Sequence, residues 1–295
     1  RGRTPFVLRP GATAEVAEIM KLADRHLLPV VPQGGNTGLV GGQVPDESGR
    51  EIVLSLARMD AIREVDPDGD TITVEAGAIL ERIHAAARAA DRLFPLTLAS
   101  EGSCRIGGNI ATNAGGTGVL AYGNTRDLVL GLEVVLASGE VWNGLRKLRK
   151  DNTGYDLKHL FIGSEGTLGI VTAATLKLFP LPKAVDVAMA AVASPEDAVA
   201  LLGRFRAAAG AGLTAFELVP RTGIAFVTRH AAGARDPFAE AHPWYVLIEV
   251  STGTEDGAGR RAMEAALAEG WEAGLVRDAV IAESLDQANA LWKLR

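Results

Sequence analysis

Val31-Pro32-Gln33-Gly34-Gly35-Asn36-Thr37-Gly38-Leu39-Val40-Gly41-Gly42 places five glycines within nine residues, directly after a short apolar run. Glycine loses more backbone freedom on folding than any other residue, so a cluster of it needs a physical reason. Flexible linkers are Gly/Ser-rich and polar, whereas Val and Leu are interleaved here. The other reading is backbone pressed against a ligand. Successive N–H groups with no Cβ in the way make a concave anion site, which holds a pyrophosphate without charged side chains. That suits a chain of formal net charge −6.

The cluster is not isolated. Pro95 to Ser103 leads through Gly102 and Ser103 into Ile106-Gly107-Gly108-Asn109-Ile110-Ala111-Thr112-Asn113-Ala114-Gly115-Gly116. Its hydroxyl and amide side chains can hydrogen-bond phosphate, ribityl hydroxyls and ring edges, more polar groups than a tightly packed turn region requires. A third segment, Phe161-Ile162-Gly163-Ser164-Glu165-Gly166-Thr167-Leu168-Gly169-Ile170-Val171, reads as a tight loop entering a strand.

Around these segments the periodicity predicts an α+β chain rather than a regular βαβ array. Thr13 is expected to cap a helix carrying Val16, Ile19, Met20 and Ala23 on one face. Strands are expected at residues 29–32, 51–56, 71–75 (alternating), 128–136 and 170–179. A helix over 78–90 should turn Ile79, Ile83, Ala86 and Ala90 inward. Pro180-Leu181-Pro182-Lys183 breaks the chain, so the domains are placed at 1–182 and 183–295. In the second, Ser194-Pro195-Glu196-Asp197 starts a helix with a capping Ser, Pro at N1 and acids in the first turn. Strands follow at 214–219, 244–250 and 274–282, and Thr254 opens another helix. Ser284 and Gln287 have capping-box spacing before a helix with Leu285, Ala288, Leu291 and Trp292 on one face. The chain reads as cut off within that helix, and its start, lacking Met, reads as trimmed.

Composition narrows the classes. A length of 295 residues with 47% hydrophobic residues fits about two domains, and the acidic balance gives no reason to expect nucleic acid. The uncharged stretch 106–125 carries three asparagines and many glycines, unlike a membrane span. The single Cys104 excludes an internal disulfide, fits a cytoplasmic or other reducing compartment, and reads as a small packed residue. Five scattered histidines offer no metal-ligand spacing. Gly116-Thr117-Gly118-Val119-Leu120-Ala121 matches a dinucleotide fingerprint but follows no strand. P-loop and G-x-S-x-G motifs are absent. The basic run Arg146-Lys147-Leu148-Arg149-Lys150 reads as a solvated loop rather than an anion site.

In this order and spacing the three glycine segments, with Arg149 to Lys158 leading into Gly163 to Val171, resemble the vanillyl-alcohol-oxidase/PCMH flavoprotein superfamily. Within it the chain is most similar to the FAD-linked D-2-hydroxyacid dehydrogenases, the 2-hydroxyglutarate type above all. The resemblance implies a PCMH-type FAD-binding domain followed by a truncated α+β substrate domain with an antiparallel sheet. Cofactor contacts would come from Pro32, Gly34, Gly35, Asn36, Thr37, Gly38, Gly41 and Gly42. Gly102, Ser103, Gly107, Gly108, Asn109, Thr112, Asn113, Gly115 and Gly116 would line phosphate and ring. Glu165, Gly166, Gly169, Ile170 and Val171 would close the adenine and ribose side. Members with covalently attached flavin carry a His where Asn36 stands, so noncovalent FAD is implied. The implied reaction oxidises a D-2-hydroxy acid (2-hydroxyglutarate, lactate or glycolate type) to the 2-oxo acid, with Arg295 gripping the substrate carboxylate. Similar members continue further, into a segment with a His-rich site for a divalent metal. Metal and general base are therefore expected outside this sequence, and no metal ligands within it. An unidentified electron acceptor, such as an electron-transfer protein, and a homodimer complete the implied partners. An alcohol or sugar oxidase using dioxygen, and a non-catalytic flavin-binding fragment, remain open alternatives.

Overall fold

A computed structural model describes residues 2–295. The chain divides into two compact units, residues 1–116 with 123–181 and residues 117–122 with 182–295.

The first unit opens with β1 (Val7–Leu8), α1 (Thr13–Arg25), β2 (Val30–Gln33) and β3 (Ile52–Ser55); the strands form a parallel sheet in the order β1-β3-β2. Then come β4 (Ile62–Asp66), β5 (Thr71–Glu75), α2 (Leu80–Ala89), β6 (Arg92–Leu93) and α3 (Ile106–Ala111). After α4 (Val119–Tyr122) and α5 (Thr125–Leu128) follow β7 (Val129–Val135), β8 (Val141–Gly144), α6 (Lys158–Phe161), β9 (Ile170–Lys177) and β10 (Phe179–Pro180). An antiparallel sheet runs β4-β5-β9-β7-β8, and β10 pairs with β6.

Three local expectations change here. Thr13 is the first residue of α1 and caps nothing; its hydroxyl donates to Glu133 Oε1 at 2.7 Å instead. β5 does not alternate, because Thr71, Ile72, Thr73 and Val74 are all buried in the sheet interior. Both faces of that strand are covered, and Thr73 pairs its hydroxyl with Thr175 of β9 at 3.2 Å. The inward face of α2 is Leu80, Ile83, His84 and Ala87, a register rotated from the expected one because the helix begins at Leu80.

The second unit contains β11 (Ala184–Val192), α7 (Pro195–Ala209), β12 (Leu213–Pro220), α8 (Arg221–His230), β13 (Trp244–Thr252), α9 (Ala258–Glu272), β14 (Val276–Ile281) and α10 (Leu285–Trp292). Its antiparallel sheet runs β12-β13-β11-β14. Side chains alternate across a strand, so this sheet feeds two cores. Ala190, Val192, Val246 and Ile248 pack with Phe205 of α7 and Met263 of α9. Met189, Ala191, Tyr245 and Leu247 pack with Ile224 of α8 and Leu291 of α10.

Ser194 caps α7 as its sequence demands, accepting from Asp197 N–H at 3.1 Å, and Ser284 does the same for Gln287 at 3.2 Å. Thr254 does not open α9: its hydroxyl donates to Asp256, whose Oδ1 also accepts from Ala258 N–H at the true helix start. Leu285 is 79% exposed, so the inward face of α10 rests on Ala288, Leu291 and Trp292. α4, one turn cut from the middle of the first unit's sequence, packs along β12 of the second.

Candidate functional site

β2 delivers the chain into the first glycine loop. The loop is closed from within: Gln33 Nε2 donates to Gln43 O at 3.0 Å, and Gln43 Nε2 to Gly38 O at 2.7 Å. From Gly34 to Gly42 no backbone N–H has a hydrogen-bond acceptor among the described residues. Two of these residues, Asn36 (φ 55°) and Gly41 (φ 83°), are left-handed.

The second segment is not a loop throughout, because Ile106–Ala111 forms the helix α3. Ile106 N–H donates to Ala78 O at 3.0 Å and Gly107 N–H to Ala76 O at 2.8 Å, which pins the helix start against the sheet. A Cβ on Gly107 would stand 2.7 Å from Ala76 Cβ, whereas one on Gly108 would meet nothing within 4 Å. Gly108 therefore has an open side. Asn109 is buried, and its Oδ1 has no hydrogen-bond partner. Buried polar atoms are almost always paired, so this one calls for a water or a ligand, although Asn109 is not among the residues that line the glycine cleft.

The third segment is tied to the end of α3: Gly163 N–H donates to Ile110 O at 3.0 Å and Glu165 N–H to Ala111 O at 2.9 Å. A Cβ on Gly166 would come within 2.5 Å of Pro32 Cγ, so the first and third segments touch.

These contacts leave a cleft within the first unit. Pro32, Gly34, Gly38 and Gly42 line one side; Gly107, Gly108 and Thr112 line another. Glu165, Gly166, Gly169, Ile170 and Val171 close the third. Among the lining residues Glu165 carries the only charge. Gln33 of the first segment and Phe161 of the third also line it; so do Gln43, Leu56 and Ala76, which were not expected because they lie outside the three glycine segments.

The remaining sequence candidates sit elsewhere. Gly35 faces the Ser103 carbonyl, where a Cβ would stand at 2.3 Å, so its glycine is required by protein packing. Gly116 likewise faces Thr97 O at 2.0 Å. Asn36, Thr37, Gly41, Gly102, Ser103 and Gly115 are exposed on the loops. Asn113 Oδ1 is already engaged, accepting from Arg126 N–H at 2.9 Å.

Arg295 lies in the second unit. Its Nε and one terminal nitrogen reach Glu217 Oε2 at 2.7 and 2.6 Å. Nearby, Trp292 Nε1 donates to Glu249 Oε2 at 3.1 Å, and Thr214 donates to Glu249 Oε1 at 2.7 Å, fixing α10 on the sheet. Among the described residues no cluster of His, Cys, Asp or Glu is arranged to hold a metal, and no helix is long and apolar enough to cross a membrane.

Two family models match the chain: an FAD binding domain over residues 4–144, and the C-terminal domain of FAD linked oxidases over residues 181–295. The chain is 42% identical, over its whole length and 52% of the relative's, to the mitochondrial D-2-hydroxyglutarate dehydrogenase of Arabidopsis thaliana. It is 44% identical to the D-2-hydroxyglutarate dehydrogenase of Xanthomonas citri pv. viticola, covering 97% of this chain and 59% of that one. The chain thus spans about half the length of the curated relatives it matches. A solved alkyldihydroxyacetonephosphate synthase superposes with TM-score 0.76 at 19% identity, over 98% of this chain and 54% of that one. Fold and cleft define an FAD-binding flavoprotein of the PCMH architecture. The chain thus joins a region matched by the FAD binding domain model to a region matched by the model of the FAD linked oxidase C-terminal domain.

The residues present fit FAD. Unpaired amides of the first loop suit its pyrophosphate, and the open face of Gly108 admits close approach. The apolar wall of Leu56, Ala76, Phe161 and Ile170 suits flat, weakly polar ring surface.

Proposed function

We propose that this chain forms the flavin-holding part of an enzyme that oxidises a D-2-hydroxy acid, of the 2-hydroxyglutarate class, to the 2-oxo acid. The row of acceptor-free amides from Gly34 to Gly42, in a chain 42% identical throughout to a D-2-hydroxyglutarate dehydrogenase, carries the reading. FAD, when bound, accepts the hydride released from the substrate carbon, while the hydroxyl proton passes to a base. The first loop orients the cofactor through main-chain donors, and the glycines of α3 keep side chains out of its way. Asn36 offers no nucleophile for a covalent link, so the flavin is held noncovalently. Arg295 binds the substrate carboxylate, its guanidinium held ready by Glu217.

Electrons leave to a separate acceptor, an electron-transfer protein in this reading, and the enzyme works as a homodimer in a reducing compartment. The free, buried Cys104 supports that compartment. The test is an anaerobic flavin-bleaching screen of the whole enzyme, with the segment expected to supply metal and base, using D-2-hydroxyglutarate, D-lactate, D-malate and glycolate. Bleaching by one of them is the expected result. A flavin that none of them bleaches overturns the proposal, and rapid dioxygen consumption during turnover replaces the dehydrogenase by an oxidase.

A further inference from the structure

The basic run that reads as a solvated loop has a second role in the folded chain. Arg146 and Arg149 stand with Arg126, Lys158, His159 and Lys177 around a cleft in the first unit that shares no lining residue with the cofactor cleft. We propose that this cleft is a binding site for a phosphate-bearing small molecule.

Five arginine and lysine side chains line it against three carboxylates, Asp127, Asp151 and Asp156, on a chain of net charge −6. Two of the three carboxylates are paired with lining cations, which leaves part of the donor set over. Asp127 accepts from Asn124 N–H at 3.0 Å, at the start of α5. Asp151 is held by Arg146 at 2.6 Å, and Asp156 by Lys158 and, at 3.2 Å, His159 Nε2. Lys177 donates to the Asp127 carbonyl, not to a carboxylate. Arg149 uses one nitrogen on Leu178 O at 3.2 Å and has its nearest carboxylate, Asp70, at 3.6 Å. Further guanidinium and ammonium donors of Arg146, Arg149 and Lys158 are left over. Forked guanidiniums beside point-charge ammoniums are the donor set that recognises phosphate oxygens.

The titrating groups agree. Burial lowers the Lys177 pKa, and Arg149 and Lys158 lower it further against the pull of Asp127. Burial and then Lys158 lower His159, with Arg126 adding to them and Asp156 and Asp127 opposing. Burial is the leading cause in both groups, and the neighbouring cations add to it, so an anion bound beside them would favour their charged forms. The walls are concave, with Trp142 and Tyr155 among them, which favours a small molecule over a flat protein surface.

The test is calorimetric titration of the FAD-loaded protein, at low ionic strength in a zwitterionic buffer, with inorganic phosphate and separately with glycerol 3-phosphate. Saturable binding of at least one probe is expected, weakening as salt is added. Arg146→Ala/Arg149→Ala should weaken it roughly ten-fold or more, while Lys21→Ala leaves it unchanged. Binding of both probes alike identifies free phosphate as a sufficient ligand, and binding of the ester alone identifies a phosphate ester. If the double variant loses FAD, Arg146→Glu on the exposed loop takes its place, with the same loss expected. No saturable binding of either probe overturns the proposal, as does equal affinity in the charge variants.

Discussion

A methyl group at Gly35 would stand 2.3 Å from the carbonyl oxygen of Ser103, so the first and second glycine segments meet backbone to backbone. Gly108, one turn into the same second segment, faces empty space. Two glycines that look alike in sequence therefore have different physical reasons.

Gly35→Ala should push the two segments apart, destabilise the apoprotein and lose flavin together. Gly108→Ala should leave the apoprotein melting midpoint unchanged or slightly raised, since Ala in a helix is about 0.5–1 kcal/mol better than Gly. Its FAD affinity should fall. Paired apo melting curves and FAD titrations check this. A Gly108→Ala protein that binds FAD as before would show that the cofactor does not approach α3.

Acid precipitation should leave all flavin in the supernatant. Asn36, exposed and left-handed at the loop tip, has no ring nitrogen to join to the flavin. Flavin retained in the pellet would show a covalent link through another side chain, with Cys104 the first to substitute.

Glu133 predicts a stability loss at low pH. Burial alone would raise its carboxyl, but hydrogen bonds from Thr13 and Thr172 and the nearby Arg63 outweigh that and hold it below the ordinary value of 4.5. A carboxyl depressed in the folded state stabilises above its unfolded pKa and loses that contribution as pH falls through the folded one. Urea midpoints should therefore drop below about pH 4.5. Glu133→Gln should flatten that drop and cost about 1.5–3 kcal/mol at neutral pH, the worth of hydrogen bonds to a charged group. Unchanged neutral stability in the variant would remove Glu133 from the account.

His84 acts in a higher window. Burial lowers its pKa from 6.5, more than the Leu96 carbonyl and Glu101 raise it. Its Nε2–H donates to Leu96 O at 2.8 Å. The unfolded chain then binds a proton that the folded one refuses, and stability falls as pH drops below about 6.5. His84→Gln should remove this slope, read as the difference in urea midpoint between the variant and the parent from neutral to mildly acidic pH. An identical slope in both would assign it to other groups.

Arg295→Ala, in the catalytically competent enzyme, should lower kcat/KM by roughly ten- to a hundred-fold, the rate equivalent of a charged hydrogen-bond pair. FAD content should not change. Glu217→Gln, which removes the anion now holding the guanidinium, should change KM more than kcat. Normal kcat/KM in Arg295→Ala would return that residue to a surface role.

Some of this was readable in the chain and some was not. The glycine segments, the Ser194 and Ser284 caps and the strands at 244–250 and 276–281 depend on backbone preference, local hydrogen bonding and short-range periodicity, which the sequence by itself determined. The interior strand β11 went unread although Ala184–Val192 is almost wholly apolar beyond Asp186, because a strand buried on both faces shows no alternation. α3 hid in a glycine cluster, since its stability comes from the Ala76 and Ala78 carbonyls rather than from helix propensity. Thr13 has the chemistry of a cap, yet its partner is Glu133, 120 residues away. Arg146 and Arg149 are exposed, as their sequence implies, but only the fold brings Arg126, Lys158 and Lys177 of α5, α6 and β9 beside them. Such long-range juxtapositions were decided only by the tertiary structure, because packing, not local propensity, chooses which distant groups share one space.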